Sequence, residues 1–225
     1  MQAALSRACS VTPRFVRRQT DAGAWLPPPA SELPPGLRIV PGFLSEEAHD
    51  RLADVSCRTL ARRLVAETRP MDLGRRCVEF GPPLPLPAAM LDVIDMFVDA
   101  GLVSSERRAA CDYLAINEYK APGGIESHVD RYTDSEQILT ISLLEDCVME
   151  LTFQGDIREA KKPGPRALER PPLRLLLPRL SLLILRDEAR WAWAHGIAFG
   201  SLHEFDEHLS VSRERRMSLT FLTHH

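Results

Sequence analysis

The closing segment Arg215-Arg216-Met217-Ser218-Leu219-Thr220-Phe221-Leu222 constrains the fold more than any other stretch of the chain. Met217, Leu219 and Phe221 alternate with Arg216, Ser218 and Thr220, and a period of two describes a strand with two chemically different faces. The apolar face has to be covered, so the strand needs both a sheet and a second layer. An arginine on the polar face is costly inside such a layer unless it meets an anion. A dicarboxylate would fit, because a guanidinium fork matches a carboxylate bidentately. The alternative is an exposed edge-strand arginine in a basic run with Arg213 and Arg215.

Short strands recur from Cys111 onward. Gln137 to Leu144 is β-rich, and Met149, Leu151 and Phe153 alternate with Glu150, Thr152 and Gln154. Leu173 to Leu177, Ser181 to Leu185 and Arg190 to Ala194 read as further strands, and Asp156 to Pro172 as a long polar loop. Ahead of them, Leu37 to Val40 suits an edge strand. Ser45 offers an N-cap to a helix with Glu46 and Glu47 in its first turn and Ala48, Leu52 and Val55 at helical spacing. A second helix after Pro87 places Leu91, Ile94 and Val98 on one face and stops near Gly101. Two helices followed by many strands predict an α+β chain ending in a sandwich or jelly roll.

The 225 residues suffice for one domain with a sizeable core. Apolar runs stay strand-sized, the longest around Leu180 to Leu185, so no membrane span is expected. Five widely spaced cysteines without a Cys-x-x-Cys pair read as reduced thiols of an intracellular protein. Residues Met1 to Thr20 contain Arg7, Arg14, Arg17 and Arg18 and no acidic residue, the composition of a mitochondrial transit peptide; a basic tail is the alternative. Without those four arginines the net charge of −3 becomes −7. Trp25 to Pro29 and Pro34-Pro35-Gly36 read as a linker. The division is therefore a tail over 1–36 and a domain over 37–225. Localisation is expected in the mitochondrion, or otherwise in the cytoplasm or nucleus, and the protein is expected to be a monomer.

Chemistry concentrates in Asn117 to Asp130. If a strand, a turn at Pro122-Gly123-Gly124 and a second strand follow one another, Asn117 and Tyr119 share one face, as do His128 and Asp130. All four side chains then converge on one pocket. His-x-Asp supplies two ligands of a 2-His-1-carboxylate triad for non-heme Fe(II). The third comes from His195, which ends the strand-like Trp191 to Ala194, or from His203 or His208 in an acidic loop or helix. His195 is preferred because a rigid strand holds a ligand better than a loop. Surface solvation accounts for His49, His224 and His225.

Taken together, Asn117-x-Tyr119, the Pro-Gly-x-Ile lead-in to His128-x-Asp130, the Gln137 to Leu144 strand, the Ser181 to His195 block and Arg216-x-Ser218-Leu219-Thr220-Phe221 resemble the AlkB family of Fe(II)/2-oxoglutarate dioxygenases. The resemblance covers roughly the second half of the chain and is greatest to eukaryotic homologues, including branches linked to transfer RNA and to mitochondria. It implies a double-stranded β-helix (jelly roll) with N-terminal supporting helices. It also implies that His128, Asp130 and His195 bind Fe(II), and that Arg216 pairs with the distal carboxylate of 2-oxoglutarate. Asn117 and Tyr119 would hydrogen-bond this cosubstrate, with Ser218 lining its pocket. Dioxygen is the other cosubstrate, and the expected reaction is oxidative demethylation or hydroxylation of a modified nucleobase in RNA or DNA. Many family members carry a second arginine where this chain has Leu222; Arg131 is a poor substitute because strand parity points it away.

Basic clusters at Arg58, Arg62, Arg63, Arg75 and Arg76 and at Lys161, Lys162 and Arg166 would meet nucleic acid, with Trp25, Tyr132 or Phe80 stacking on a flipped base. Trp191 and Trp193 are expected to pack beside the metal strand. Competing readings are an oxygenase of proteins, lipids or metabolites, a binding or scaffold protein that has lost turnover through Leu222, and a zinc-binding cupin-like protein.

Overall fold

A computed structural model of the protein describes residues 14–16, 18–19, 25–26, 28–63, 74–130, 135–158, 170–206 and 209–223. In chain order its strands are β1 (Arg14–Val16), β2 (Arg18–Gln19), β3 (Trp25–Leu26), β4 (Leu37–Val40), β5 (Arg75–Phe80), β6 (Tyr113–Lys120), β7 (Ile125–His128) and β8 (Ile138–Leu143). They continue as β9 (Cys147–Phe153), β10 (Leu173–Leu177), β11 (Leu182–Leu185), β12 (Trp193–Ile197), β13 (Leu202–Glu204), β14 (Ser210–Ser212) and β15 (Arg215–Leu222). The α-helices are α1 (Glu46–Arg63), α2 (Ala88–Asp99) and α3 (Asp187–Trp191).

Two sheets face each other as a jelly roll. The larger has the order β4-β11-β8-β15-β6-β5 and the smaller β1-β10-β9-β12-β7. The closing strand β15 lies between β8 and β6, so Arg216 is on a central strand and not on an edge. Its alternation divides two compartments. Met217, Leu219 and Phe221 join Leu114, Ile116, Ile141 and Leu143 beneath α1 and α2. Residue parity turns Arg216, Ser218, Thr220 and Leu222 into the lumen between the sheets, where they line a cavity.

The helices form where capping and periodicity predict them, and Ser45 Oγ accepts the Ala48 N–H at 3.2 Å at the start of α1. The buried stripe of α2 is Met90, Val93, Ile94 and Phe97, one step round from the predicted Leu91, Ile94 and Val98. Phe97 sets that rotation, stacked on Phe43 at 5.8 Å and edge-on to Phe221 at 5.2 Å. Leu91 consequently remains exposed.

Three further expectations are corrected. Arg190 and Trp191 belong to α3, and the strand begins only at Trp193. The acidic segment after Leu202 contributes a short strand, β13, paired with β14. His49 is buried: its Nδ1–H donates to Asp50 at 2.8 Å while its Nε2 accepts the Leu144 N–H at 3.0 Å, a structural cross-link from α1 to the end of β8. Ahead of residue 37, β1 pairs in parallel with β10 and Leu33 packs into the lumen core. No described helix is long and apolar enough to cross a membrane.

Candidate active site

Strand β6 reaches the site first and turns at Pro122-Gly123-Gly124 as predicted, but the next strand, β7, enters the opposite sheet instead of pairing back on β6. The turn therefore bridges the two sheets at one end of the lumen. Asn117 and Tyr119 face it from β6, His128 from the end of β7, and Asp130 from just beyond that strand; all four line one cavity with His195, Arg216 and Ser218.

His195 on β12 stands directly opposite His128 on β7. The register shifts between His195 and Ile197, a bulge of the kind that re-aims side chains beside active sites. Close approach of the two strands depends on glycine. A Cβ on Gly196 would lie 2.9 Å from the Ile125 carbonyl oxygen, and one on Gly124 only 2.4 Å from that of Ile197. The imidazole centroids are 4.7 Å apart, with Asp130 between them: its Oδ1 is 3.4 Å from His128 Nε2 and its Oδ2 3.5 Å from His195 Nε2.

This donor set fits one divalent ion. The three ligand atoms lie within 4.8 Å of one another, and ligand atoms about 2.1 Å from an ion at right angles to each other are roughly 3 Å apart. His128 Nδ1 lies 2.8 Å from the Glu126 carbonyl oxygen, a contact that orients the ring with Nε2 towards Asp130. Burial pushes His195 down, with the His128, Arg190 and Arg216 charges adding to it against Asp130, which favours the neutral ligand form. Burial also presses on His128, but the Asp130 hydrogen bond and charge outweigh it and the net shift is upward. Burial would raise Asp130, yet the His195 charge and the His128 hydrogen bond hold it at about 2.

His203 does not join this group. It is buried on β13, with Nε2 3.1 Å from the Gly200 carbonyl oxygen. His208 lies outside the described residues, as do Arg131, Tyr132, Lys161, Lys162 and Arg166.

Arg216 is almost wholly buried, 1% exposed. Its Nη2 lies 3.4 Å from Ser142 Oγ, its Nε has no hydrogen-bond partner among the described residues, and its guanidinium stands 5.5 Å from the Tyr119 ring. A buried cation with so little local compensation suits an anionic partner. Leu222, at the far end of the same strand face, packs with Tyr113 and Ile138 and closes that end of the lumen with apolar surface.

Two arginines not recognised as site residues in the sequence complete the surroundings. Arg190 donates from Nη1 to the Asp130 carbonyl at 2.7 Å and from Nε to that of Ser135 at 3.2 Å, fixing the chain beyond β7. Arg75 donates from Nη2 to Asn117 Oδ1 at 2.9 Å. The readable signal was the alternation Cys77-Val78-Glu79-Phe80, a strand in which Arg75 shares the parity of Cys77 and Glu79. That strand turns the basic cluster inward: Arg75 lines the cavity, while Arg76 pairs with the buried Glu118. Phe80, offered above as a base-stacking ring, is buried under the helices. Trp191 and Trp193 are buried beside the metal strand as expected.

The family model for the 2OG-Fe(II) oxygenase superfamily matches residues 55–221. The chain belongs to that superfamily. Within it the chain is AlkB-like, and Fe(II) and 2-oxoglutarate are the metal and cosubstrate of the family. The oxygenase is 28% identical over 206 residues to an alkylated DNA repair protein ALKBH8 homolog of Arabidopsis thaliana, covering 83% of this chain and 57% of the relative. It is 28% identical to the tRNA (carboxymethyluridine(34)-5-O)-methyltransferase ALKBH8 of Macaca fascicularis, covering 79% of this chain and only 27% of that protein. It therefore spans between about a quarter and somewhat over half of these relatives. A probable RNA/DNA demethylase ALKBH6 of Danio rerio is 27% identical, over 84% of this chain and 86% of that one. Among solved structures, OsALKBH1 shares the fold with a TM-score of 0.53 at 16% identity, covering 85% of this chain and 99% of the other.

Proposed function

We propose that the oxygenase oxidises a modified nucleobase, with His128, Asp130 and His195 holding Fe(II) and Arg216 receiving the distal carboxylate of 2-oxoglutarate. The observation that carries this reading is the His-Asp-His cluster sharing one cavity with an almost unpaired buried arginine. When bound, the iron and 2-oxoglutarate use dioxygen to hydroxylate a substrate C–H bond, releasing succinate and carbon dioxide; on an N-methyl group the product loses formaldehyde. The chain's own groups bind and orient. His128 and His195 offer Nε2, Asp130 offers carboxylate oxygens, Tyr119 and Asn117 flank the cosubstrate, and Arg190 holds the Asp130 backbone in place.

The nucleobase assignment is supported by the relatives named for RNA and DNA and by a groove next to His128, lined by Ser127, Gln154, Ile157, Arg158 and Trp191. A flipped base would approach the metal through that groove. The arginine-rich start of the chain supports delivery to the mitochondrion.

Anaerobic loading with Fe(II) and 2-oxoglutarate, followed by oxygen and a succinate assay, tests the chemistry; Arg216→Ala is expected to remove the product. Iron binding without succinate, in the presence of methylated RNA and DNA, would overturn the dioxygenase reading in favour of a binding role. RNA affinity that falls steeply with salt supports the nucleic-acid substrate. No RNA or DNA affinity at low salt would move the substrate to a protein, lipid or metabolite.

A further inference from the structure

Across three neighbouring strands of the larger sheet, Arg216, Tyr119 and Arg75 are register partners: Arg216 opposes Tyr119 on one side and Arg75 opposes Tyr119 on the other. All three face the cavity. At strand spacings of about 4.8 Å the two arginine backbones are roughly 10 Å apart with the tyrosine between them. The next lumen-facing row is Ser218, Asn117 and Cys77, and Arg75 reaches into it to donate to Asn117 Oδ1.

We propose that Arg75 is a positioning residue for the cosubstrate: it fixes the Asn117 carboxamide with its NH2 group towards the cavity and supplies a second cation beside Tyr119. This rests on the reading of the cavity as the 2-oxoglutarate site.

A carboxamide has one acceptor end and one donor end. With Oδ1 committed to Arg75, Nδ2 is the end left to meet a ligand, and an N–H donor suits a carboxylate or keto oxygen. Without Arg75 the amide is free to turn over and present its oxygen, which repels an anion. Charge points the same way. The position of the usual second arginine holds Leu222 among apolar neighbours, so positive charge on this sheet face gathers at the opposite end, at Arg216 and Arg75. Both guanidinium charges act on the Tyr119 hydroxyl, opposing the upward push of its burial. Arg75 therefore provides a second cation from β5, in the same cavity-facing row as Tyr119 and Arg216.

The test is calorimetric titration of 2-oxoglutarate into the full chain loaded with Mn(II), which needs no turnover. Arg75→Met is expected to weaken 2-oxoglutarate about 10- to 100-fold, the scale of a hydrogen bond involving a charged group, while Mn(II) affinity stays within about twofold. Arg75→Lys keeps the charge and loses the planar fork, so a smaller loss of at least about threefold is expected. If Arg75 acts through Asn117, the double variant Arg75→Met/Asn117→Ala is little weaker than the worse single variant.

An Arg75→Met affinity within twofold of wild type overturns the proposal, and so do losses that multiply fully in the double variant. If Arg75→Met does not fold, Arg75→Lys decides: an unchanged affinity overturns the role. Wild-type protein that binds Mn(II) but no 2-oxoglutarate would instead overturn the underlying reading of the cavity, and this inference with it.

Discussion

On β15 and β6 one residue separates two environments that ask opposite things of a side chain. Towards the helices, Met217, Leu219, Phe221, Leu114 and Ile116 belong to one apolar cluster with the rings of Phe43 and Phe97. Towards the lumen, Arg216, Ser218, Asn117 and Tyr119 are equally buried yet polar, and Arg216 is left with a buried Nε that nothing among the described residues accepts. The helix side is arranged for stability, since apolar burial rewards close packing. The lumen side instead buries an under-partnered guanidinium and a His-Asp-His cluster, groups whose burial costs stability. Burial alone does not reveal which face of a sheet is the core; the chemistry of the buried atoms does.

The sharpest way to break this contrast is to cut the helix face. Phe97→Ala is expected to lower unfolding free energy by about 3 to 5 kcal/mol, measured by urea denaturation, with Mn(II) affinity retained wherever the protein remains folded. A loss below about 1 kcal/mol would mean that the helices are decoration. The helix side has one ionic exception, Glu118, fully buried and clamped by Arg76 and by Arg215, whose Nε is 2.7 Å from Oε1. Glu118→Ala is expected to cost about 3 kcal/mol by stranding two half-buried arginines; near-neutrality would show that water relieves them.

Substitutions on the lumen side should spare the fold and remove function. His195→Ala is expected to weaken Fe(II) by at least about 100-fold, about 2.7 kcal/mol, with an unchanged denaturation midpoint for the metal-free protein. Unchanged iron stoichiometry would pass the third position to His208. Arg216→Met should abolish 2-oxoglutarate binding while raising apo-protein stability by about 1 kcal/mol, because an isolated buried charge is exchanged for packing. Destabilisation instead would show that Arg216 is well compensated without its ligand. The smallest effect concerns Cys111, whose thiol burial pushes up to about 12; it should resist alkylation at pH 8 until the protein is unfolded, as followed by mass spectrometry.

The sequence was legible wherever period and chemistry agreed. The alternation of β15, the turn after β6 and the Ser45 cap all follow from local rules. What failed to show was set by partners distant in the chain. That β7 crosses to the other sheet depends on its pairing with β12, not on its own residues. His49 is polar on an amphipathic helix and reads as solvated; only the arrival of Leu144 N–H makes it a buried cross-link. Arg75 and Arg76 look like one basic patch, and strand parity sends one to the cavity and the other to Glu118. The helical start of the Arg190 region escaped because five residues are too few for a periodic signal.

One feature of the smaller sheet reaches beyond catalysis. Among the described residues β7 is an outer strand with a single neighbour, β12, and the bulge interrupts even that pairing. His128 closes this strand and His195 belongs to its neighbour, so an ion held by both would join the outer strand to the rest of the sheet. Metal would then work as a rivet as much as a reagent. Hydrogen exchange at the amides of Ile125 to His128 should slow markedly on loading with redox-inert Mn(II), while β15 stays protected in both forms.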